Sequence, residues 1–530
     1  MKILTGRSRV CPRSHTRTCV RSRSRRGLAV LAAALGLTAS TLLGAAPAPA
    51  AERAPSPSLS PAALSPAAVD RFVRAYVEET GLPGAVVAVT RDDKVVHTAG
   101  YGHTASGGAM TARTRLPVAS LSKAMTAFAV LRLVEAGKVD LDRPVRRYLP
   151  EFTMADPRAE RITVRQLLTQ TSGMADSAYP DLTRAQPHTL KEAVEAMRGA
   201  PLATAPGARF RYHNPNYFVA ARLVEVVTGR PFAAHMAAEV FRPLGMTRTA
   251  SVSGTDRMPG RARGYVRAYG TTLAADHPRW FAAGGHGVVT TADDLARWLI
   301  LQNNDGVSAD GRRVAAARTI DVSHTPPATP RGGDYAMGWS RQTVDGGPRQ
   351  LTHTGQLLTH NSMATLLPDS RTGIAVVTNT GMISGDDAAQ ITEGLVDLAL
   401  GERPEPDAPF SVTADPVLAA LTLLALALGI RGTLRAGRWV RRTAGRAWWR
   451  RALRLLPYAL PLLLLAQLAP LFGLLMRRSG TLSQVAHAWP ALFVCAAAAA
   501  LASGAVVTAR LVAALRIRTS APNSLSTDWC

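Results

Sequence analysis

The chain has 530 residues, 47% of them hydrophobic, with a formal net charge of +25 and four cysteines. The charge says less about nucleic acid than its size suggests, because residues 1–51 carry nine Lys or Arg and no acid, and residues 410–530 carry fourteen Arg against two Asp. An excess beside apolar segments is topogenic, so no nucleic-acid partner is expected. Cys11 and Cys19 lie near the N-terminus, Cys495 in an apolar run and Cys530 at the last position, a scatter that offers no disulfide framework.

In chain order, a basic region leads into an apolar core at 28–43 and small residues ending Ala48-Pro49-Ala50, the pattern of a secretory signal over 1–51, cleaved near Ala50 or Ala51. Arg25-Arg26 resembles a twin-arginine export signal, with ordinary Sec export the alternative, and the long basic region leaves a start downstream of Met1 open. Residues 52–67, rich in Pro, Ala and Ser, read as a flexible linker. Val69, Phe72, Val73, Tyr76 and Val77 then predict a helix, followed by strands over 85–89 and 95–99 around Arg91-Asp92-Asp93. Strands over 363–367 and 374–378 and a helix over 386–400 are predicted at the other end, and the two ends are expected to share one antiparallel sheet. Residues 121–322 read as mostly helical. The unit 68–402 is long enough to bury an ample core unaided.

After a linker at 403–415, apolar stretches at about 416–432, 455–476 and 490–509 predict three transmembrane helices within 416–513, the second containing Pro457, Pro461 and Pro470. Residues 431–454 hold nine arginines and no acid, outweighing Arg477 and Arg478 on the next loop. The positive-inside rule places 431–454 in the cytoplasm, the catalytic domain outside, and a short tail, 514–530, inside again.

The chemistry begins at Ser120-Leu121-Ser122-Lys123, where an apolar strand-like run passes into a helical pattern. Residues three apart on a helix share a face, so a lysine amine kept neutral can take the proton of Ser120 and make it an acylation site. One such tetrapeptide decides little; its context does. Tyr212-His213-Asn214 and His353-Thr354-Gly355 follow in order. Together the three resemble the S-x-x-K, S-D-N and K-T-G elements of the serine β-lactamase and penicillin-binding-protein superfamily. The Tyr-x-Asn form is similar to the class C β-lactamase branch, with its D-aminopeptidase, DD-peptidase and esterase relatives. Stretches such as Gly100-Tyr101-Gly102, Thr171-Ser172-Gly173-Met174 and Ala283-Gly284-Gly285-His286-Gly287 extend the likeness over roughly 68–400.

The resemblance implies an α/β (α+β) fold of two lobes, an antiparallel sheet flanked by helices and an all-helical lobe, with the site in the cleft between them. It implies catalytic roles for Ser120, Lys123 and Tyr212, and substrate binding by Asn214, His353, Thr354, Gly355 and Gln356. The N–H groups of Ser120 and Gln356 would form the oxyanion hole. Lys123 has two readings: a neutral base toward Ser120, or a cation that keeps Tyr212 anionic so that the phenolate is the base. His353 stands where β-lactamases and DD-peptidases have lysine. A largely neutral imidazole there disfavours anionic β-lactams relative to an ester or amide. Gln356-Leu357-Leu358-Thr359-His360 departs from the family's Gly-rich run, and His213, bulkier than the residue this branch often has, is expected to narrow the cleft.

No H-E-x-x-H and no zinc-spaced cluster occurs, so no metal or other cofactor is expected, and the absence of a Gly-x-Ser-x-Gly elbow around Ser120 argues against an α/β-hydrolase. His286 is assigned to a tight turn, with contact to substrate as the alternative. The reading is an exported, membrane-anchored serine hydrolase acting on a small-molecule or peptide substrate of the cell envelope. The alternatives are a membrane sensor of β-lactams or cell wall acylated at Ser120 without turnover, a weak β-lactamase, and an inactive scaffold.

Overall fold

A computed structural model describes residues 64–328, 333–343, 347–381, 386–476 and 478–519. The expected signal at 1–51 and nearly all of the linker before residue 64 lie outside these, as does the end of the tail beyond 519.

Helix α1 (Pro66–Thr80) is started by Ser65, whose hydroxyl accepts from the Ala68 N–H, and stopped by Gly81 in the left-handed region, φ 62°. Its stripe Val69, Phe72, Val73 and Tyr76 is buried as predicted. Strands β1 (Gly84–Arg91) and β2 (Lys94–Gly102) follow as a hairpin, and β3 (Ser340–Thr343), β4 (Arg349–Gln356), β5 (Asn361–Leu367) and β6 (Thr372–Thr378) complete a sheet of order β2-β1-β6-β5-β4-β3. The two ends of the domain do meet in it: β1 runs antiparallel to β6, with Val87 opposite Val376.

The side-chain period of two divides β1 between two cores. Ala85, Val87 and Val89 face α1 and α5 (Asp387–Ala399), in a cluster with Phe72, Ile391 and Leu395. Val86 and Ala88 face the main core with Leu295 and Leu299. Covered on both faces, β1 reads Gly-Ala-Val-Val-Ala-Val-Thr without polar alternation.

The region 121–322 carries helices, among them α3 (Pro215–Thr228) and α4 (Ala292–Asn303), but fewer than half of its residues are helical, against the expectation of a mostly helical stretch. Loops and turns join the helices, and the region also holds a hairpin, Gly264–Ala268 with Thr271–Ala275. Its turn, Tyr269-Gly270, has φ values of 52° and 76°. Tyr-Gly is a weaker turn signal than Asn-Gly or Asp-Gly, and strands this rich in Ala and Gly show little β preference, so the hairpin does not stand out in the sequence. The hairpin sends Arg267 to Asp387, 2.8 Å away, with both side chains buried and Tyr76 Oη donating to the same carboxylate at 3.0 Å. Asp387→Ala leaves the guanidinium buried without its counter-charge, and an unfolding free energy lower by about 3–5 kcal/mol is expected in urea titration.

Beyond the sheet domain, α6 (Phe410–Leu434) and α10 (Pro490–Thr519) are, among the described residues, helices long and apolar enough to cross a membrane. The expected second span is broken. It consists of α7 (Leu456–Ala466) and α8 (Leu468–Met476), bent by 50°. Pro470 explains the break: it has no N–H for the carbonyl of Ala466, and its ring crowds that carbonyl. A short helix, α9 (Leu482–Ala488), begins with a capping box of Thr481 and Gln484 and precedes α10.

Candidate functional site

Ser120 sits in a 3₁₀ turn, Ala119–Leu121, and the α-helix α2 (Ser122–Glu135) starts two residues later than the motif suggested. The turn is held in a strained shape, with Ala119 at φ 46°. Ser122 fixes it, donating to the Ala119 carbonyl at 2.6 Å and accepting from the Val288 N–H at 2.9 Å. Gly355 fits against this turn from β4. A Cβ there would lie 2.4 Å from the Val118 carbonyl oxygen and 2.2 Å from Ser362 Oγ, so only glycine brings the strand so near the serine.

Lys123 is fully buried beneath Ser120. Its Nζ lies 2.9 Å from Asn214 Oδ1, 2.9 Å from the Gly285 carbonyl and 3.0 Å from Ser120 Oγ. Burial, then the charge of Arg478, pushes its pKa well below the usual lysine range, against the opposing effect of Asp181. A neutral amine has two N–H bonds and one lone pair. Asn214 Oδ1 and the Gly285 carbonyl accept only, so they take both N–H bonds, and the lone pair is left for the Ser120 hydroxyl. The Asn214 amide is oriented by its other end, where Nδ2 donates to Asp181 Oδ2 at 3.1 Å.

Tyr212 places its ring 4.8 Å from Lys123 Nζ. Burial pushes its phenol up to about 12, with the Ser120 hydroxyl and Arg478 opposing. Among the expected site residues, Ser120, Tyr212, Asn214, His353, Thr354 and Gln356 line one cleft of about 580 Å³; Lys123 lies under it and Gly355 behind the strand edge.

β4 exposes that edge because β3 pairs only with its first half, Arg349 to Thr352. The Leu357 N–H bonds the His360 carbonyl at 2.8 Å, closing the β4–β5 turn. Alternation along the ladder then turns the Gln356 N–H away from β5. His353 Nδ1 is 2.7 Å from the Thr354 carbonyl and Nε2 is 3.0 Å from Tyr335 Oη. A carbonyl can only accept, so the proton is on Nδ1 and Nε2 accepts from the tyrosine. Burial, then the Lys123 charge, brings the imidazole down to about 3, so His353 is uncharged.

One other expectation is overturned and one keeps both of its readings. His213 does not narrow the cleft: it is buried with Nε2 2.8 Å from the Tyr179 carbonyl. His286 lies on its turn but also lines the cleft, with Nε2 buried and without a hydrogen-bond partner.

Sequence reasoning missed one wall altogether. Phe472, Met476, Arg478, Ser479, Gln484 and Ala488, all C-terminal to the sheet domain, line the same cleft. Leu357 and Leu358, the departure from the Gly-rich run, cluster with Trp280 and Ala488, with Phe472 packed against them. Apolar residues stand in that turn because it receives a helix. Arg478 Nη2 lies 3.0 Å from Asp181 Oδ1, so the cleft has a cation after all, supplied from far along the chain. A signal existed: the loop-charge argument expects Arg478 on the outer side, where the positive-inside rule asks for no positive charge.

A family model described as Beta-lactamase matches residues 69–395. Protein flp of Staphylococcus aureus (strain N315) is 26% identical over 318 residues, 59% of this chain and 62% of that protein, so the match spans under two thirds of that relative. Penicillin-binding protein 4 of Amycolatopsis lactamdurans is 29% identical over 344 residues, 62% of this chain and 90% of that protein. Among solved structures, a D-stereospecific amidohydrolase from Streptomyces sp. shares the fold with a TM-score of 0.51 at 24% identity, covering 62% of this chain and 98% of its own.

Proposed function

The chain belongs to the beta-lactamase family, and from that premise we propose that it is an exported, membrane-anchored serine hydrolase that cleaves an ester, amide or peptide bond of the cell envelope through an acyl-enzyme on Ser120. The observation that carries the reading is the hydrogen-bond inventory of Lys123, which leaves the amine lone pair facing the Ser120 hydroxyl.

In this mechanism Lys123 Nζ takes the Ser120 proton as Oγ attacks the carbonyl carbon. The oxyanion is met by the N–H of Ser120 and that of Gln356. Tyr212, whose burial keeps the phenol protonated at neutral pH, gives its proton to the leaving group and recovers one from Lys123. Water then attacks the ester on Ser120 by the reverse proton path, releasing the acid. Asn214 serves twice, holding Lys123 and presenting its amide to the acyl side. The uncharged His353, with Thr354 and the free edge of β4, lines the leaving-group side. An ester or amide suits it better than an anionic ring.

The membrane part of the reading rests on α6, α10 and the bent pair α7–α8, on nine arginines in 431–454, and on the shared cleft, which requires the 478–488 loop and the hydrolase on one side. Full-length protein in detergent, treated with a fluorophosphonate and a fluorescent penicillin and then assayed on p-nitrophenyl esters and D-amino acid amides, tests the proposal. Labelling with turnover of an ester or amide is expected. A folded protein that neither labels nor turns over any of these overturns it, and labelling without deacylation favours the sensor.

A further inference from the structure

The turn after α8 is built into the site rather than resting near it. The Arg478 N–H closes α8 on the Gly473 carbonyl at 2.9 Å, and the Thr481 capping box opens α9 three residues later. Between these caps the Ser479 N–H donates to Asp176 Oδ2 at 2.5 Å. Beyond them Gln484 Nε2 donates to the Leu182 carbonyl at 2.9 Å. Arg478 bonds Asp181 at 3.0 Å and lies 3.9 Å from Asp176, and both carboxylates are buried.

We propose that Arg478 is a positioning residue of the hydrolytic site: by holding Asp181 as a paired carboxylate it fixes the Asn214 amide and thereby points the Lys123 lone pair at Ser120. The inference rests on the hydrolase reading above. Asp181 spends Oδ1 on Arg478 and Oδ2 on Asn214 Nδ2, which turns Asn214 Oδ1 to Lys123. Without the guanidinium, a buried carboxylate has two courses. It can keep its charge beside Lys123 and favour the ammonium, which has no lone pair. Or it can take a proton and donate it to Asn214, whose amide then flips and offers N–H bonds to the amine, drawing the lone pair away from Ser120. Either course disarms the base.

The other groups around the amine do not substitute. The rings of Tyr212 and Tyr217 lie 4.8 and 5.7 Å from Nζ and keep their protons. His286 and His353 are both held at about 3 by burial and stay neutral. His213, 3.7 Å from Asp181, is also lowered by burial. Asp176 is joined to the same turn. Burial opposes ionisation of Asp181, but the Arg478 charge foremost outweighs it, so the carboxyl is held below its usual range.

Opposite charge changes give the test. Full-length Arg478→Met is expected to move the acid limb of the kcat/KM profile for a neutral ester up by about one pH unit, with about tenfold loss on the acid side of the limb that is recovered at high pH. Asp181→Asn, which removes the negative charge nearest the amine and leaves the guanidinium only Asp176 at 3.9 Å, is expected to move the limb down. Arg478→Lys keeps the limb near the wild-type position, and Arg478→Met with Asp181→Asn brings it back between the two singles. Melting curves identify any variant that fails to fold. If Arg478→Met does not fold, the downward shift in Asp181→Asn decides alone. Limbs that do not move, or move together, overturn the inference while leaving the hydrolase reading intact. Wild-type protein that neither labels nor turns over removes that reading and this inference with it.

Discussion

Ser120→Ala is expected to abolish fluorophosphonate labelling and to lower kcat by roughly 10⁶-fold, the loss typical of removing an acyl-transfer nucleophile. Ser177 and Ser479 also line the cleft, but Lys123 meets only Ser120 among them, so no other hydroxyl has a base at hydrogen-bond distance. Because the Ser120 hydroxyl is partly exposed at the cleft floor, the variant's stability should stay within about 0.5 kcal/mol of wild type. Thermal melts together with single-turnover ester hydrolysis check both halves. Turnover surviving in a folded variant would reject the acyl-enzyme on Ser120.

The second large effect concerns Lys123. Lys123→Ala is expected to lower kcat/KM at least about 100-fold near pH 7.5, the lower end of general-base effects. The pH dependence identifies the base. A base must be unprotonated, so activity is present above its pKa and lost as pH falls through it. The lowered pKa of Lys123 therefore lets activity extend to lower pH than an ordinary lysine would allow. Neither His353 nor His286, both at about 3, can produce a limb between pH 5 and 8. Tyr212, pushed up to about 12, should give no alkaline limb below about pH 11. Lys123→Arg retains a cation that does not deprotonate, so its activity should not recover at high pH. A folded Lys123→Arg with near-wild-type rate would transfer the base role to the Tyr212 phenolate.

The wall made by Phe472, Arg478 and Ala488 changes the meaning of the His353 departure. A neutral residue in the third motif suggested a cleft without a cation. The cleft holds one, engaged with Asp181 on the opposite side and presented by the loop between α8 and α9. Its position joins the beta-lactamase-family domain to the C-terminal helices through ion pairs to Asp176 and Asp181 as well as the apolar turn, so charge at residue 478 and apolar bulk at Leu357 and Leu358 belong to one arrangement.

Much of this protein was legible in its sequence because the information is local or periodic. The α1 stripe at Val69, Phe72 and Tyr76 follows from the helical repeat, and the strand at 85–89 from its short apolar run. The Ser120–Lys123 spacing suggested one shared face, although Ser120 lies in a 3₁₀ turn before the helix and distant contacts from Val288 and Gly355 hold that turn. The three ordered motifs supplied the family's architecture, and the residues they marked converge on one cleft or directly beneath it. Tertiary structure decided what depends on contacts distant in sequence. The protonation state of Lys123 is set by complete burial and by Asn214, Gly285 and Arg478, which lie between 91 and 355 residues away, and no local pattern encodes that sum. The tautomer of His353 is fixed by Tyr335 and by its own neighbouring carbonyl. Arg477-Arg478 read as loop charge because a sequence shows that an arginine is present but not which buried carboxylate awaits it; only folding the chain back over Asp181 gives that arginine its partner.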